Sequence, residues 1–493
     1  MGMPLYPNPA WRPVRGKLMR PTHPPPYPRG YARLLVLIFL LSVALLLVLP
    51  PSLTIQQTRV VRENARLNLS KVAWEGGSTY WNKWSSTRPW ANPAFFPIGV
   101  WYESVTTQLD IDLDKAVGLN TYVELTANSK AALIHNAGMW SVSDTPLAGY
   151  GTETVGWLLA DEPDIYYKSG NDPWNGTDGW NTCIPIQSKG GKCGYTVLAK
   201  KKAQRPAPHY ANYGKDVLFL DNDTDAAQFV NGYTDWLSLD EYWYSETQVC
   251  AGGTKRIPGS GPINPITRKP ELTPAECHRA ANYGVNVDRA RTLDATDGKL
   301  QPIWAFVEVG HPMKDAATPS ITGPQIKGAV MSSLIHGARG IIYFNHSFGG
   351  SCISYHVLRE KCGSAVRPEV TALNQQITRL APVLNTQSLQ WTFSPNLDTM
   401  LKQTPDGANY IFAMMKGGVK PGPQTFTLPS GLTSTAVTVV DENRTLPVTG
   451  GSFTDWFAAE NSYHIYKIVS ATSTSSHWWS RWWSWASRWL GAM

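Results

Sequence analysis

Two short acidic segments of the sequence each close an apolar run, residues 155–164 (VGWLLADEPD) and residues 301–310 (QPIWAFVEVG). Each segment places one glutamate, Glu162 or Glu308, where a buried strand would reach solvent. A pair of carboxyl groups at two strand ends supplies what cleavage of a glycosidic bond requires. One group protonates the leaving oxygen, and the other attacks or stabilises the sugar cation. We therefore predict that Glu162 and Glu308 form a catalytic pair.

The two groups need different protonation states. The proton donor must stay protonated near neutral pH, which partial burial or a neighbouring carboxylate achieves by raising its pKa. A retaining mechanism places the two carboxyl groups roughly 5 to 5.5 Å apart, and an inverting one roughly 6.5 to 9.5 Å apart. We expect the shorter separation here. Taken singly, either glutamate would be read as a solvated loop residue or a helix cap, so the prediction depends on the pair.

The strands that must position this pair belong to a region, residues 95–383, in which apolar strand-like runs alternate with helix-like stretches. Such alternation predicts parallel strands joined by crossovers, and eight strands favour a closed (β/α)8 barrel. The predicted strands are 97–102, 120–125, 139–142, 155–160, 209–213, 236–239, 303–307 and 340–345. The predicted helices are 109–117, 129–137, 226–233, 274–291, 323–336 and 369–380. The third crossover is too short for a full helix, so we expect irregular chain there.

The texture changes after the barrel. Residues 384–470 contain short alternating segments broken by Gly and Pro, which predicts a small antiparallel β-sandwich. Residues 471–493 form a tail rich in Trp and Arg. As a helix, this tail would place Trp478, Trp482, Trp485 and Trp489 on one face and could lie on a lipid bilayer through residues 478–490. A sticky tail without fixed structure is the alternative.

The amino-terminal part of the chain predicts export. Residues 1–33 carry six Arg and Lys side chains and no Asp or Glu, so of the formal charge of +7 only +1 belongs to the rest, and no nucleic-acid partner is indicated. Residues 34–49 are apolar apart from Ser42, and Pro50 and Pro51 end the run. We expect 34–51 to be an uncleaved transmembrane signal anchor, with a cytoplasmic basic tail and the catalytic domain outside the cell. A cleaved signal peptide with secretion is the alternative, and 52–94 would be a linker and barrel lead-in.

The six cysteines also favour an oxidising compartment. They fall into three close sequential pairs, which predicts three disulfides within loops. The pairs are Cys183 with Cys193, Cys250 with Cys277, and Cys352 with Cys362. Six cysteines allow fifteen connectivities, so this pairing is one choice among them. There is no Cys-x-x-Cys spacing and no close pair of histidines, and we predict no metal and no cofactor.

Five segments in order resemble one known group of enzymes. PIGVWYES, GWLLADEPD, SLDEYWY, PIWAFVEVG and QIKGAVMSSLIHGARGIIYFNHSF are similar to the barrel of retaining glycoside hydrolases, which keep an acid/base glutamate after the fourth strand and a nucleophile after the seventh. ENRTLPVTGGSFTDWFAAENSYHIYKI resembles the β-sandwich that often follows such barrels, so the likeness spans residues 95 to about 469.

The resemblance implies roles for single residues. Glu162 matches the acid/base position and Glu308 the nucleophile. Asp161 stands where many of these enzymes have an asparagine that contacts the sugar 2-hydroxyl, which puts that contact in doubt. Tyr242 and Trp243 match the aromatic end of the sixth strand. Further residues at strand ends are candidate sugar contacts, weighed against simple barrel packing: Trp101, Glu103, Trp304, Tyr343, Asn345 and His346.

Two neighbouring acids could compete with the predicted pair. Asp240 and Glu241 follow the sixth strand directly and are placed among the candidate substrate contacts, with Glu241 the first substitute if a predicted catalytic residue fails. The sequence thus predicts a membrane-anchored extracellular glycoside hydrolase that acts on a polysaccharide or oligosaccharide by a retaining mechanism. The alternative is a catalytically silent barrel that binds glycan or acts as a cell-surface scaffold.

Overall fold

The computed structural model describes residues 66–246, 249, 272–315 and 318–468. Residues 1–65 lie outside the described part of the chain. They include the predicted basic tail and the apolar segment 34–49, and the Trp-rich tail 471–493 also lies outside the described part. In the part of the chain that is described, no helix has the length and apolar character needed to cross a bilayer.

The central element is a closed barrel of eight parallel strands, joined in chain order from β1 to β8 and back to β1. The strands are β1 (Ile98–Glu103), β2 (Thr121–Leu125), β3 (Trp140–Ser143), β4 (Thr154–Asp161), β5 (His209–Tyr213), β6 (Trp236–Leu239), β7 (Ile303–Glu308) and β8 (Ile341–Phe344). Every predicted strand is confirmed to within one residue at either end. The apolar runs are continuous because both faces of a parallel strand are buried.

The two faces of each strand meet different layers. In β7, Trp304 and Phe306 join the cluster inside the barrel, whereas Ile303, Ala305 and Val307 join the cluster beneath the helices. The alternation follows from the two-residue period of a strand. A residue at the end of a strand therefore points its side chain over the barrel mouth only if it is one of the alternate residues that face the inside of the barrel.

Helices cover the barrel from outside. They are α1 (Gln108–Val117), α2 (Ala131–Asn136), α3 (Pro163–Tyr167), α4 (Gly194–Gln204), α5 (Asp223–Gly232), α6 (Pro274–Cys277), α7 (Ala281–Asp294), α8 (Gly323–Ile335) and α9 (Arg367–Leu384). The predicted helix 274–291 is two helices, because the helical conformation is interrupted at residues 278–280. No helix lies between β3 and β4, which confirms the short third crossover.

The segment before β1 closes the amino end of the barrel. Two short 3-10 helices, Gly77–Lys83 and Arg88–Ala91, insert Trp81 and Trp90 below the strands. The ring of Trp81 lies 5.5 Å from that of Trp236, and the ring of Trp90 lies 5.5 Å from that of Trp304. The described part of the predicted lead-in is therefore a packed plug, and the mouth of the barrel is at the carboxyl ends of the strands.

An antiparallel domain follows α9. Its strands are β9 (Ser388–Leu389), β10 (Leu397–Gln403), β11 (Asn409–Met415), β12 (Gly422–Thr427), β13 (Ala436–Val439), β14 (Arg444–Pro447), β15 (Ser452–Phe457) and β16 (Tyr463–Ile468). They form a six-stranded sheet in the order β14-β13-β16-β11-β10-β9 and a two-stranded sheet of β12 and β15. Phe426, Phe453 and Tyr466 pack between the sheets. The predicted antiparallel domain is confirmed, and Leu67 from the lead-in joins its core.

Two of the predicted disulfides are present. Cys183 is bonded to Cys193 and Cys352 to Cys362, with Cα atoms 5.4 and 5.2 Å apart. Cys277 is also disulfide-bonded. Its predicted partner, Cys250, lies outside the described residues.

Candidate active site

Carboxyl groups gather at the mouth of the barrel. Asp161 ends β4 and Glu162 follows it, Asp240 follows β6, and Glu308 ends β7. The first three side chains are partly exposed, whereas that of Glu308 is buried. In this fold the carboxyl ends of the strands are where catalytic side chains are found, because several loops meet there around one opening.

Glu162 occupies a strained turn between β4 and α3. Its φ of 41° lies in the left-handed region, which a residue other than glycine adopts only at a cost. The conformation is held by its N–H, which donates to the carbonyl of Asn212 at 2.8 Å. Burial, followed by repulsion from Asp240 and Asp161, raises the pKa of Glu162 well above its ordinary value. A raised pKa keeps this carboxyl group protonated and able to donate a proton.

Asn212 of β5 joins the acids on either side of it. Its Nδ2 donates to Asp161 Oδ1 at 2.9 Å and reaches Asp240 Oδ2 at 3.5 Å. The side-chain oxygen Oδ1 of Asn212 accepts a hydrogen bond from the Ser238 hydroxyl at 2.6 Å, which fixes the orientation of the amide. Burial raises the pKa of Asp161 to about 6, and burial followed by Asp161 raises the pKa of Asp240. Asp161 is therefore already hydrogen-bonded to an amide side chain within this protein, that of Asn212.

Glu308 lies in a shell of hydroxyl donors. Tyr283 of α7 donates to both of its carboxyl oxygens, at 2.8 and 2.7 Å, and Ser245 donates to Oε1 at 2.9 Å. Burial raises the pKa of Glu308 to about 7, and the hydrogen bond from Tyr283 is the largest effect opposing that rise. The group is ionised above neutral pH and is 0% exposed.

Tyr242 lies within the electrostatic reach of both predicted catalytic residues. Burial raises the pKa of its hydroxyl, and so do, in decreasing order, Asp240, Glu162 and Glu308. Glu162 and Glu308 therefore share the neighbourhood of one phenol. A hydrogen bond between the side chains of Tyr242 and Asp240 contributes to the shifted pKa values of both groups.

Glu241 lies behind this group of acids. It is 1% exposed, and its side chain interacts with that of Glu246. Burial, followed by Glu246, raises its pKa, while Lys215 opposes the rise. Lys215 itself is ion-paired with Glu246. The structure thus buries Glu241, a predicted substrate contact.

Glu103, another predicted sugar contact, is part of a buried ion-pair network. It pairs with His356 at 2.6 Å and with Arg359 at 3.0 Å, and it accepts a hydrogen bond from Asn345. Asn345 also accepts the N–H of Leu358 at 2.8 Å. Both predicted contacts are 0% exposed and hold the loop after β8 against β1.

Three predicted aromatic contacts are packing residues. Trp304 lies near the amino end of the barrel against Trp90, because it is only the second residue of β7. Tyr343 donates to Asn374 of α9, and Trp243 donates to Asn286 of α7, so both have the parity that faces the helices. Their positions near strand ends in the sequence do not bring them to the mouth.

Trp101 and His346 lie closer to the opening. The Trp101 ring packs 5.3 Å from Phe306 inside the barrel. His346 lies 5.9 Å from Tyr102, which is 42% exposed. Burial lowers the pKa of His346 to about 4, so this ring is neutral at physiological pH.

Several residues at the mouth were not predicted from the sequence. Glu124 of β2 has a φ of 55° and a pKa raised to about 9, first by burial and then by Asp161. Its place at a strand end was a signal of the same kind that identified Glu162. Tyr166, Trp180 and Tyr355 are aromatic residues of loops or of the short helix α3, and nothing in the sequence pattern distinguishes them.

No protein-family model matches the sequence, and the search of curated proteins finds no match. The solved structures similar to this chain include glycoside hydrolases. A family 30 subfamily 8 xylanase, Xyn30A, from Clostridium acetobutylicum is 12% identical with a TM-score of 0.40, over 76% of this chain and 96% of that chain.

An Anoxybacillus alpha-amylase is 11% identical with a TM-score of 0.40, over 78% of this chain and 99% of that chain. A putative alpha-galactosidase from Bacteroides fragilis is 11% identical with a TM-score of 0.39, over 76% of this chain and 79% of that chain. Identities and TM-scores this low carry no argument about activity, which must rest on the site itself.

A spacious groove lies elsewhere on the described part of the chain. It measures about 650 Å³ and lies between α8, α9 and the antiparallel domain, lined by side chains such as Lys327, Arg379 and Glu442. These side chains pair with neighbouring residues, and the groove is remote from the acids at the mouth. Within the described ranges, no group of three or more His, Cys, Asp or Glu side chains is arranged to hold a metal ion.

Proposed function

We propose that this protein is a glycoside hydrolase in which Glu162 protonates the leaving oxygen and Glu308 is the second carboxylate. The observation that carries the proposal is the environment of Glu162. It is partly exposed at the carboxyl end of β4, and burial together with the nearby Asp240 and Asp161 keeps its pKa high. A solvent-accessible acid that holds its proton is what departure of an alcohol requires.

The proposed second carboxylate is supported by its hydrogen bonds. Tyr283 and Ser245 stabilise the charged form of Glu308, which a nucleophile must adopt. In a retaining reaction, a carboxyl oxygen of Glu308 bonds to the anomeric carbon as the leaving oxygen takes the proton of Glu162. Water then hydrolyses the glycosyl ester, with Glu162 as the base.

Asp240 and Tyr242 are proposed to bind the sugar. Asp240 is partly exposed at the mouth. Beyond the effect of burial, Asp240 raises the pKa of Glu162, and Glu162 raises that of Tyr242, so both side chains lie near the proposed proton donor. A carboxyl group and a phenol can each form a hydrogen bond with a sugar hydroxyl. Export of this domain and its attachment to a membrane through residues 34–49 belong to the same proposal, supported by the sequence pattern and by the disulfides.

A catalytically silent glycan-binding barrel is the second candidate, and one observation favours it. Glu308 is 0% exposed, so its carboxylate has no open path to a substrate in this conformation. A hydrolase would have to open the surroundings of Glu308, whereas a binding protein would not.

The deciding experiment is a screen of the full chain against aryl glycosides and cell-envelope polysaccharides, with Glu162→Gln and Glu308→Gln beside it. Turnover by the native protein and its loss in both folded variants would support the proposal. Proton NMR of the first product would identify the anomer and so test retention. Binding without turnover would favour the silent barrel. Turnover that survives Glu308→Gln would show that another acid is the nucleophile, and Glu241 would be tested first and Asp240 second.

A further inference from the structure

An exposed aromatic wall stands beside Glu162. The side chain of Trp180 is 58% exposed, and its ring meets the ring of Tyr166 at 4.9 Å with an interplanar angle of 61°. An exposed indole offers a large apolar face, and covering that face with a ligand would gain free energy. The place of Trp180 near the proposed proton donor, rather than its exposure alone, makes it a candidate contact for the substrate.

Tyr166 connects that wall to the acids. It lies in α3, the helix that begins directly after Glu162, and its N–H donates to the Glu162 carbonyl at 3.0 Å. Burial raises the pKa of the Tyr166 phenol, and so do, in decreasing order, Glu162, Asp161 and Asp240. The phenol therefore lies close to the acidic group, and Trp180 continues the aromatic surface outward from it.

The loop that carries Trp180 is held in place. The Cys183–Cys193 disulfide closes its far side. Closer to Trp180, the Tyr167 hydroxyl donates to Asp178 Oδ1 at 2.9 Å and accepts the N–H of Gly179 at 3.3 Å. Because the indole is positioned before any ligand arrives, binding to it costs little ordering entropy.

A second aromatic surface lies across the mouth, after β8. Tyr355 is 61% exposed, and its ring lies 5.2 Å from that of His346 and 5.8 Å from that of Phe348. His346 in turn contacts Tyr102, the exposed aromatic residue of β1. In a closed eight-stranded barrel β4 and β8 are four strands apart in either direction, so the two aromatic surfaces flank the mouth from opposite sides.

We propose that these two surfaces, Tyr166 with Trp180 and Tyr355 supported from below by the buried His346, are stacking platforms for sugar rings on opposite sides of the bond that is cleaved. The substrate is then a chain of several pyranose units that crosses the mouth and is cut internally. This inference rests on the proposed function for the position of the cleaved bond. Aromatic faces suit the apolar faces of sugar rings, and the acids lie between the two platforms, as a reacting bond requires.

The first test measures binding without turnover. The full chain is run by native electrophoresis in gels that contain soluble xylan, galactomannan, starch or chitosan. We expect at least one polymer to retard the native protein, and Trp180→Ala and Tyr355→Ala each to reduce that retardation at least fivefold. Trp456→Ala is the matched control, because Trp456 is 61% exposed on β15 of the antiparallel domain, away from the mouth. Trp180→Phe should restore part of the binding and shows that the loop still folds.

The second test uses turnover. On the retarding polymer, the native protein should release long oligosaccharides first. Trp180→Ala should raise KM for that polymer at least fivefold, whereas Trp456→Ala should leave both kcat and KM unchanged. The inference is overturned if no polymer retards the native protein, if Trp180→Ala behaves like Trp456→Ala, or if the first products are only monosaccharides. Retardation without any turnover would uphold the platforms while removing the proposed hydrolysis.

Discussion

Gly214, in the turn after β5, lies directly against the carboxyl group of Glu162. A Cβ atom at position 214 would be 2.6 Å from Glu162 Oε1 and 2.6 Å from Ile165 Cδ1. The backbone N–H of Gly214 is held by Asp164, which accepts it at 3.0 Å, so the turn cannot easily withdraw. The absence of a side chain at 214 thus makes room for the proposed proton donor.

Gly214→Ala should displace the Glu162 carboxyl group. We expect kcat to fall at least tenfold, with a loss of about 1 to 3 kcal/mol in the free energy of unfolding from overpacking. Steady-state kinetics and urea denaturation measure the two effects. Gly417→Ala is the control, because a Cβ there meets its nearest atoms at an ordinary 3.8 Å. Full activity in Gly214→Ala would contradict the role given to Glu162.

Glu162→Gln should separate the two halves of the reaction. Proton donation matters most for a poor leaving group, so we expect a loss of about 10²- to 10⁴-fold on an alkyl glycoside. On a dinitrophenyl glycoside, whose leaving group needs no proton, formation of the glycosyl ester should stay near its native rate. A burst of dinitrophenol in stopped-flow measurements would show this. Equal losses on both substrates would remove Glu162 from the role of acid.

Tyr283→Phe should shift the pH dependence of activity. The Tyr283 hydroxyl stabilises the charged form of Glu308, so its removal raises the pKa of Glu308 above about 7. A nucleophile must be ionised, and the acidic limb of kcat/KM should therefore move to higher pH. Tyr244→Phe is the control, because the Tyr244 hydroxyl bonds to Glu460 instead. An unmoved acidic limb in Tyr283→Phe would argue against Glu308 as the nucleophile.

Glu308→Gln should stabilise the fold at high pH. The pKa of Glu308 rises from 4.5 to about 7 on folding, so the folded state holds this proton more tightly than the unfolded chain does. Stability is therefore lost as pH rises from about 4.5 to about 7, by on the order of 3 kcal/mol. We expect Glu308→Gln to exceed the native protein in free energy of unfolding at pH 8 and to match it near pH 4. No pH-dependent difference would mean that Glu308 is not ionised in a buried site.

The strands were predictable because their cause is local. Each is an apolar run whose length and flanking polar residues are visible in the sequence, and β7 was predicted from Ile303 to Val307 for that reason. Glu162 and Glu308 followed from the same pattern, since both come where such a run ends. The positions of Trp304 and Tyr343 required more, namely the level of each residue along its strand and the face to which it points.

The aromatic platforms were beyond the reach of the sequence. Trp180 gains its position from a loop whose shape depends on a disulfide and on hydrogen bonds to Tyr167, contacts between residues of no periodic pattern. Asn212 was equally hidden, because its role appears only when β4, β5 and β6 stand side by side. Loop chemistry and contacts between strands are set by the assembled barrel.

Each aromatic platform also has its own sulfur bridge, Cys183–Cys193 beside Trp180 and Cys352–Cys362 around Tyr355, whereas the barrel strands contain none. If these cysteines were kept reduced in the cell, the barrel could still assemble, but the loops that carry the platforms would be less well fixed and would bind long glycans weakly. Protein prepared from a reducing cytoplasm should give the circular dichroism spectrum of a folded protein yet bind polymers weakly, and air oxidation should restore the binding.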